Sequence, residues 1–274
     1  MRFDDDAMLA LAGRLAEIGG IVGVTLGGSR GRGEGKPDSD TDLGLYYRGE
    51  IDVTALGALA REVAGPEAAV TGHGGWGPWV DGGGWLRIDG APVDLLYRDL
   101  DRVDACWQRV TRGENEFHVQ TGHPLGVPDL AYPGEVALSR VLIDPTGELA
   151  RRRAEYQAYP PALADTVTEG IWEAEFLAGG AVKVADRGDP AYVALLLSRA
   201  LLLAAHAICA RAGRWVTNEK GLIQVAAAQP GAPAGFAEDV QEALAAVVSD
   251  PAAAISRARA VVASVIHTSP AVPG

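Results

Sequence analysis

Residues 5–18, DDAMLALAGRLAEI, space Met8, Leu9, Leu11, Leu15 and Ile18 at helical intervals, open on acids and stop at Gly19-Gly20. That pattern predicts an amphipathic helix. The apolar runs IVGVTL at 21–26 and LGLYY at 43–47 read as strands. Residues 52–64, DVTALGALAREVA, read as a helix with Asp52 at its cap. The glycine- and tryptophan-rich stretch TGHGGWGPWVDGGGWL then predicts turns and short strands. Residues 85–89 and 92–97 form a hairpin pattern across Asp89-Gly90, and 99–111 return to helical spacing. FHVQTGHPLGVPDLAYPGEV mixes strand-like and loop-like pieces. VALSRVLIDPTGELARRRAEY reads as a helix, a short strand, and a helix starting near Pro145.

Past Pro160-Pro161, the strongest local break, strand patterning almost disappears. Helices are expected near 162–186, 190–212, 219–228, 235–248 and 251–267, each flanked by Gly, Pro or Asp. The expected architecture is α/β (α+β): a mixed-sheet domain with flanking helices over 1–145, then a helical bundle over 146–274. The run AYVALLLSRALLLAAHAICA is interrupted by Ser198, Arg199 and His206, so it reads as a buried helix and no membrane role is expected.

Composition narrows the class. Apolar residues make up 48% of 274, enough for a sizeable core. The two cysteines, Cys106 and Cys209, form no CxxC, which argues against a zinc site or a disulfide scaffold. MRFDDD places acids where a signal peptide carries bases, and the expected location is the cytoplasm. The net charge of −12 is uneven: residues 1–150 hold 24 Asp/Glu against 13 Lys/Arg, whereas 151–274 hold 12 against 11. So acidic a first half repels nucleic acid and attracts cationic small molecules.

The chemistry concentrates in GGSRGRGEGKPDSDTD, residues 27–42, between two predicted strands. No GxGxxG is present, and Pro37 after Lys36 breaks the GxxxxGK[ST] pattern of a Walker loop. Gly27 and Gly28 let backbone N–H groups approach an anion, and Ser29 adds a hydroxyl. Arg30 and Arg32 share the loop and can pair with phosphate oxygens. Asp40 and Asp42 lie two apart, so both leave one face of a strand and repel each other until a cation intervenes. Asp38 is out of phase and is expected to cap the loop. Asp94 sits within the apolar run APVDLLYRD, where an acid needs a partner. It reaches the same metals if 92–97 pairs beside 43–47; the alternative is an ion pair with Arg98.

Gly27-Gly28-Ser29, then Asp40-x-Asp42, then a lone Asp94 on a later strand resembles the nucleotidyltransferase superfamily that includes DNA polymerase beta. The helical second half further resembles its small-molecule members, the antibiotic nucleotidyltransferases. The resemblance implies two Mg²⁺ ions held by Asp40, Asp42 and Asp94, and ATP or another NTP as co-substrate. It implies nucleotide contacts from Gly28, Ser29, Arg30, Arg32 and Ser39, and from Lys220 in the helical half. It implies transfer of AMP to a hydroxyl of a small, aminoglycoside-like molecule, a link to antibiotic resistance, and a monomer or homodimer. Relatives that recruit a glutamate base make Glu169, Glu173 and Glu175 candidates; Glu169 and Glu173, four apart, are expected on one helix face. The aromatic loop from His73 to Trp79 is expected to be flexible and to wall a substrate cleft. The scattered histidines His118, His123, His206 and His267 read as structural. Two other roles compete with this one: an antitoxin-like or regulatory protein that binds or nucleotidylates a partner protein, and a nucleic-acid end-processing enzyme, which the acidic balance disfavours.

Overall fold

The computed structural model describes residues 3–36, 39–185 and 187–268. They divide into two compact units. The first runs to Gln108 and resumes over Phe117–Ala158; the second takes Arg109–Glu116 and the chain from Tyr159 onward.

The first unit opens with α1 (Asp5–Ala16), started by Asp4, whose carboxylate accepts from the Ala7 N–H at 3.0 Å. β1 (Ile21–Leu26), the single turn α2 (Gly28–Gly31) and β2 (Thr41–Tyr47) follow. α3 (Val53–Ala64) is capped by Asp52, which accepts from the N–H groups of Thr54 and Ala55, and it stops at Gly65. β3 (Gly83–Ile88) and β4 (Ala91–Asp99) make the expected hairpin. Its turn residues Asp89 and Gly90 have φ of 51° and 81°, both left-handed, as a two-residue type I′ turn requires. α4 (Leu100–Thr111), β5 (Phe117–Gln120), β6 (His123–Pro128), α5 (Ala131–Leu138), β7 (Arg140–Ile143) and α6 (Glu148–Tyr156) complete the run. The Pro160-Pro161 break falls just beyond the change of unit at 158, and α6 lies in the first unit.

The main sheet has the order β3-β4-β2-β1-β7. β2 and β4 are parallel; the other neighbours are antiparallel. β5 and β6 pair separately. One face of β2 and β4 presents Leu43, Leu45, Tyr47, Val93, Leu95 and Tyr97 to a core shared with Met8, Leu11, Leu15 and Leu56. Each leucine fully buried there contributes about 2 kcal/mol, so strand parity is strongly fixed. The other face carries Asp42 and Asp94, and further along Tyr46 and Arg98.

The second unit is helical: α7 (Pro161–Glu169), α8 (Trp172–Ala185), α9 (Pro190–Arg211), α10 (Leu222–Ala227), α11 (Phe236–Ala246) and α12 (Pro251–His267). By length and composition alone α9 could cross a membrane, but here it is the central helix, packed by α7, α8, α10 and α12. Val193, Leu197, Leu201 and Ile208 are among its buried residues. The single helix expected over 162–186 is two helices. Gly170, a poor helix former, ends α7, and α8 restarts at Trp172. Glu169 and Glu173 therefore do not share one helix face, and Glu173 is paired with Arg199 at 2.6 Å.

Candidate active site

β1 ends at Leu26 and the chain turns at once. The Gly27 N–H donates to the Asp42 carbonyl at 2.8 Å, which ties the turn to the start of β2. Gly28 has φ +57°, and a Cβ there would lie 1.8 Å from Oδ2 of Asp42. Only glycine meets both conditions: the left-handed backbone and the side chain pressed against it. Ser29 and Arg30 follow within α2, whose first N–H groups have no carbonyl of their own helix to bond.

Asp42 and Asp94 are directly paired in the parallel register of β2 and β4, which places their side chains on one face of adjacent strands. The pairing of 92–97 beside 43–47 is thus present. The alternative ion pair is not: Arg98 binds Glu135 of α5 instead, with its Nη2 donating to Oε1 at 2.8 Å. Asp40 lies exposed just ahead of β2. Burial, then the charges of Asp42 and Asp40, push the Asp94 carboxyl up to about 6. Asp42 and Asp40 therefore act on Asp94 even though it lies 52 residues beyond Asp42 in sequence.

This donor set suits a hard divalent cation. It offers only carboxylate oxygens, and ionising Asp94 beside two like charges is costly until a cation offsets them. Among the described residues no three His, Cys, Asp or Glu side chains have the spacing of a ready metal cage. Mg²⁺ is commonly held by one or two carboxylates with substrate phosphates and water completing the shell, and the Asp42–Asp94 pair is of that kind.

The rest of the loop is placed unevenly. Arg30 Nε donates to the Ser39 carbonyl at 2.9 Å, and the Ser39 hydroxyl accepts from the Lys36 N–H at 2.9 Å. Both residues thus brace the loop. Arg30 also lines a pocket of about 230 Å³ with Thr41 and Arg140; Thr41 points to the opposite side of β2 from Asp42. Arg32 pairs with Glu34 at 2.7 Å. Asp38 falls outside the described residues. Lys220 belongs to the second unit, exposed, with its N–H capped by the Asn218 side chain at 3.0 Å.

The loop expected to be flexible is pinned at many points. Asp81 accepts from the Tyr47 hydroxyl at 2.7 Å and the Gly74 N–H at 2.6 Å, and it contacts His73 at 2.9 Å. Gln120 accepts from the N–H groups of Trp79 and Val80 at 3.0 Å each and donates to the Trp76 carbonyl at 2.7 Å. Trp79 stacks on His118 with centroids 3.6 Å apart. Trp76 instead stacks on Trp85 of β3 at 4.5 Å and 17°. Trp85 lies outside the His73–Trp79 loop that the sequence pattern singles out. The signal for it was the alternation in GGWLRI, which puts Trp85 and Arg87 outward and Leu86 and Ile88 inward.

A mixed five-stranded sheet with flanking helices, a glycine-serine turn and a carboxylate pair is consistent with the nucleotidyltransferase fold. Residues 10–68 match the family model described as a nucleotidyltransferase domain. That segment runs from within α1 to just past α3 and contains Gly28, Ser29, Asp40 and Asp42; Asp94 and Lys220 lie beyond it. The match supports nucleotide transfer as the general chemistry and a transferase as the class. Domains of this family generally use an NTP and a divalent metal. No curated protein matches the chain. Among solved structures it is similar to a nucleotidyltransferase-like protein from Exiguobacterium sibiricum 255-15, at 10% identity and a TM-score of 0.44, over 96% of this chain and 73% of that one.

Proposed function

We propose that the protein transfers a nucleoside monophosphate, AMP from ATP, to a hydroxyl of a small molecule and releases pyrophosphate. The observation that carries this reading is the cross-strand pair Asp42–Asp94 beside the left-handed Gly28. Asp40, Asp42 and Asp94 would hold two Mg²⁺ ions, which when bound offset phosphate charge and lower the pKa of the acceptor hydroxyl. Gly28 and Ser29 offer N–H and hydroxyl donors to the phosphates. Arg32 is the cation of this loop assigned to the same task, with Arg30 and Ser39 holding the loop that presents it; the assignment of Lys220 rests on the family resemblance alone.

In the reaction the acceptor oxygen bonds to the α-phosphorus as the bond to the oxygen bridging α- and β-phosphorus breaks. The electron pair leaves with pyrophosphate. The hydroxyl proton passes to Asp94, the carboxylate on the neighbouring strand. A cytoplasmic location, argued from the scarce cysteines, and a role in antibiotic resistance, implied by the family resemblance, belong to this proposal.

The test is Mg²⁺-dependent ATP binding, with pyrophosphate release across a panel of hydroxylated acceptors, for the parent, Asp42→Asn and Asp94→Asn. Both variants should lose at least about 100-fold in turnover. Equal ATP binding by the parent and Asp42→Asn, with no pyrophosphate from either, would sink the reading.

A further inference from the structure

Five of the ten large apolar side chains exposed among the described residues fall on two neighbouring helices of the second unit. They are Trp172, Phe176 and Val182 on α8, and Tyr192 and Leu195 on α9. Trp172 is 65% exposed, Phe176 71% and Val182 43%. The two rings of α8 meet edge to face, with centroids 6.4 Å apart. Tyr192, Leu195 and Arg199 form one stripe along α9, and Arg199 pairs with Glu173 of α8, so that stripe borders α8. Single exposed apolar residues are ordinary, but a group of them on adjoining helices marks an interaction surface.

The pattern of α8 selects the occupant. Trp172, Glu175, Phe176, Gly179, Val182 and Lys183 recur at helical spacing and share one outward face, with Gly179 at its middle. Glu175 and Lys183, both exposed, stand equally far to either side of Gly179, and so do Phe176 and Val182. A second α8 laid antiparallel on the first, with the two-fold axis at Gly179, brings Glu175 against Lys183 and Phe176 against Val182, each pair twice. A Cβ at Gly179 or Gly180 would meet nothing within 4 Å, so the helix surface is open at the crossing. Val182 also borders a groove of about 530 Å³ between α8 and α12, which leaves a recess for the incoming ring. We infer that α8 is a dimer interface whose occupant is a second copy of this chain. The charge of the helical half agrees: residues 151–274 hold 12 Asp/Glu against 11 Lys/Arg, so two copies meet there without the repulsion of the acidic first half. Trp172 and Phe176 together expose roughly 300 Å² per copy. Two copies with the flanking Tyr192 and Leu195 approach the lower end of a stable interface, about 1,200 Å² in total. Neither nucleotide nor metal is needed for the association.

Sedimentation of the full chain over a range of concentrations measures the association. The parent should pass from the chain mass of 28.5 kDa to twice that mass, with a Kd of about 1–10 µM. Phe176→Asp should stay monomeric over the same range with unchanged circular dichroism, because the ring it replaces is exposed; Trp172→Ala should weaken the dimer in the same direction. The sharpest readout is a mixture. Glu175→Lys and Lys183→Glu each set like charges together at both pairs, and each alone should weaken self-association about tenfold. Mixed with one another, the two variants regain opposite charges at both pairs, and their heterodimer should form as tightly as the parent dimer. A role of either side chain within its own chain gives no such rescue. A parent that remains monomeric at about 100 µM, a dimer untouched by Phe176→Asp, or a mixture no tighter than its components would overturn the inference. So would a monomer that binds vesicles of anionic lipid and loses them with Phe176→Asp, which would give this face to a membrane.

Discussion

At the scale of single residues, the site depends on side chains that are missing as much as on those present. Gly28→Ala forces a Cβ into Asp42 and strains a left-handed backbone. Displacing a reacting group by about 1 Å costs on the order of 100-fold in rate. Pyrophosphate release by Gly28→Ala should fall by that much while the thermal midpoint drops only a few degrees; a global collapse of the fold would instead assign Gly28 a purely structural role. Asp94 yields a pH signature. Its folded pKa, near 6, lies above the ordinary aspartate value. Without metal, stability contributed at this position is therefore greatest at low pH and declines as pH rises through about 4 to 6. Protons compete with the cation, so Mg²⁺-dependent ATP binding should weaken as pH falls through about 6, and Asp94→Asn should flatten that dependence. A titration that is equally steep in the variant would assign the effect elsewhere. Gly28, Asp40, Asp42 and Asp94 were legible in the sequence because their spacing and strand context are local. The Arg98–Glu135 pair was not, since it joins positions 37 residues apart whose pairing depends on where α5 packs.

At the scale of elements, helices with a side-chain cap and a glycine or proline stop were readable to within a few residues: α3 with Asp52, and α12 opening at Pro251 after Asp250. Where the stop signal was a lone glycine within an apolar pattern, at Gly170, one helix was expected and two formed. The tryptophan loop misled for a related reason. Its glycines suggested mobility, but Asp81 and Gln120 supply hydrogen bonds from positions that no local pattern reveals. α9 offers a further test. Burial holds the His206 imidazole down to about 4, so the folded state keeps it neutral while the unfolded chain titrates near 6.5. The unfolded state thus gains protons first on acidification. Stability should fall by about 2 kcal/mol between about pH 7 and pH 5 from this group. Urea unfolding of His206→Gln at the two pH values should show a correspondingly shallower loss; an unchanged loss would mean that other groups carry it.

At the scale of the whole molecule, the sequence divided roughly into a sheet part and a helical part, but the compact units are not two consecutive segments. Arg109–Glu116 belongs with the helices although the chain on both sides of it belongs with the sheet. Gly113 is packed within the second unit, close to Ala162 and Thr166. No composition shift marks those eight residues. A fragment beginning at Tyr159 lacks them and should unfold at a lower temperature than one in which 109–116 is fused ahead of it. Calorimetry of the two fragments decides the matter, and identical midpoints would show the insertion to be dispensable.

The register of β4 carries one more consequence. Val93, Leu95 and Tyr97 are almost fully buried, while Asp94 between them meets Asp42 on the other face. A one-residue slip would drive the carboxylate into the hydrocarbon core and turn Val93, Leu95 and Tyr97 to the other face. If Asp94 holds the metal as proposed, errors in strand pairing are penalised twice, once in folding and once in ligand affinity. On the proposed reading, a molecule that binds its nucleotide has thereby passed a check on its own assembly.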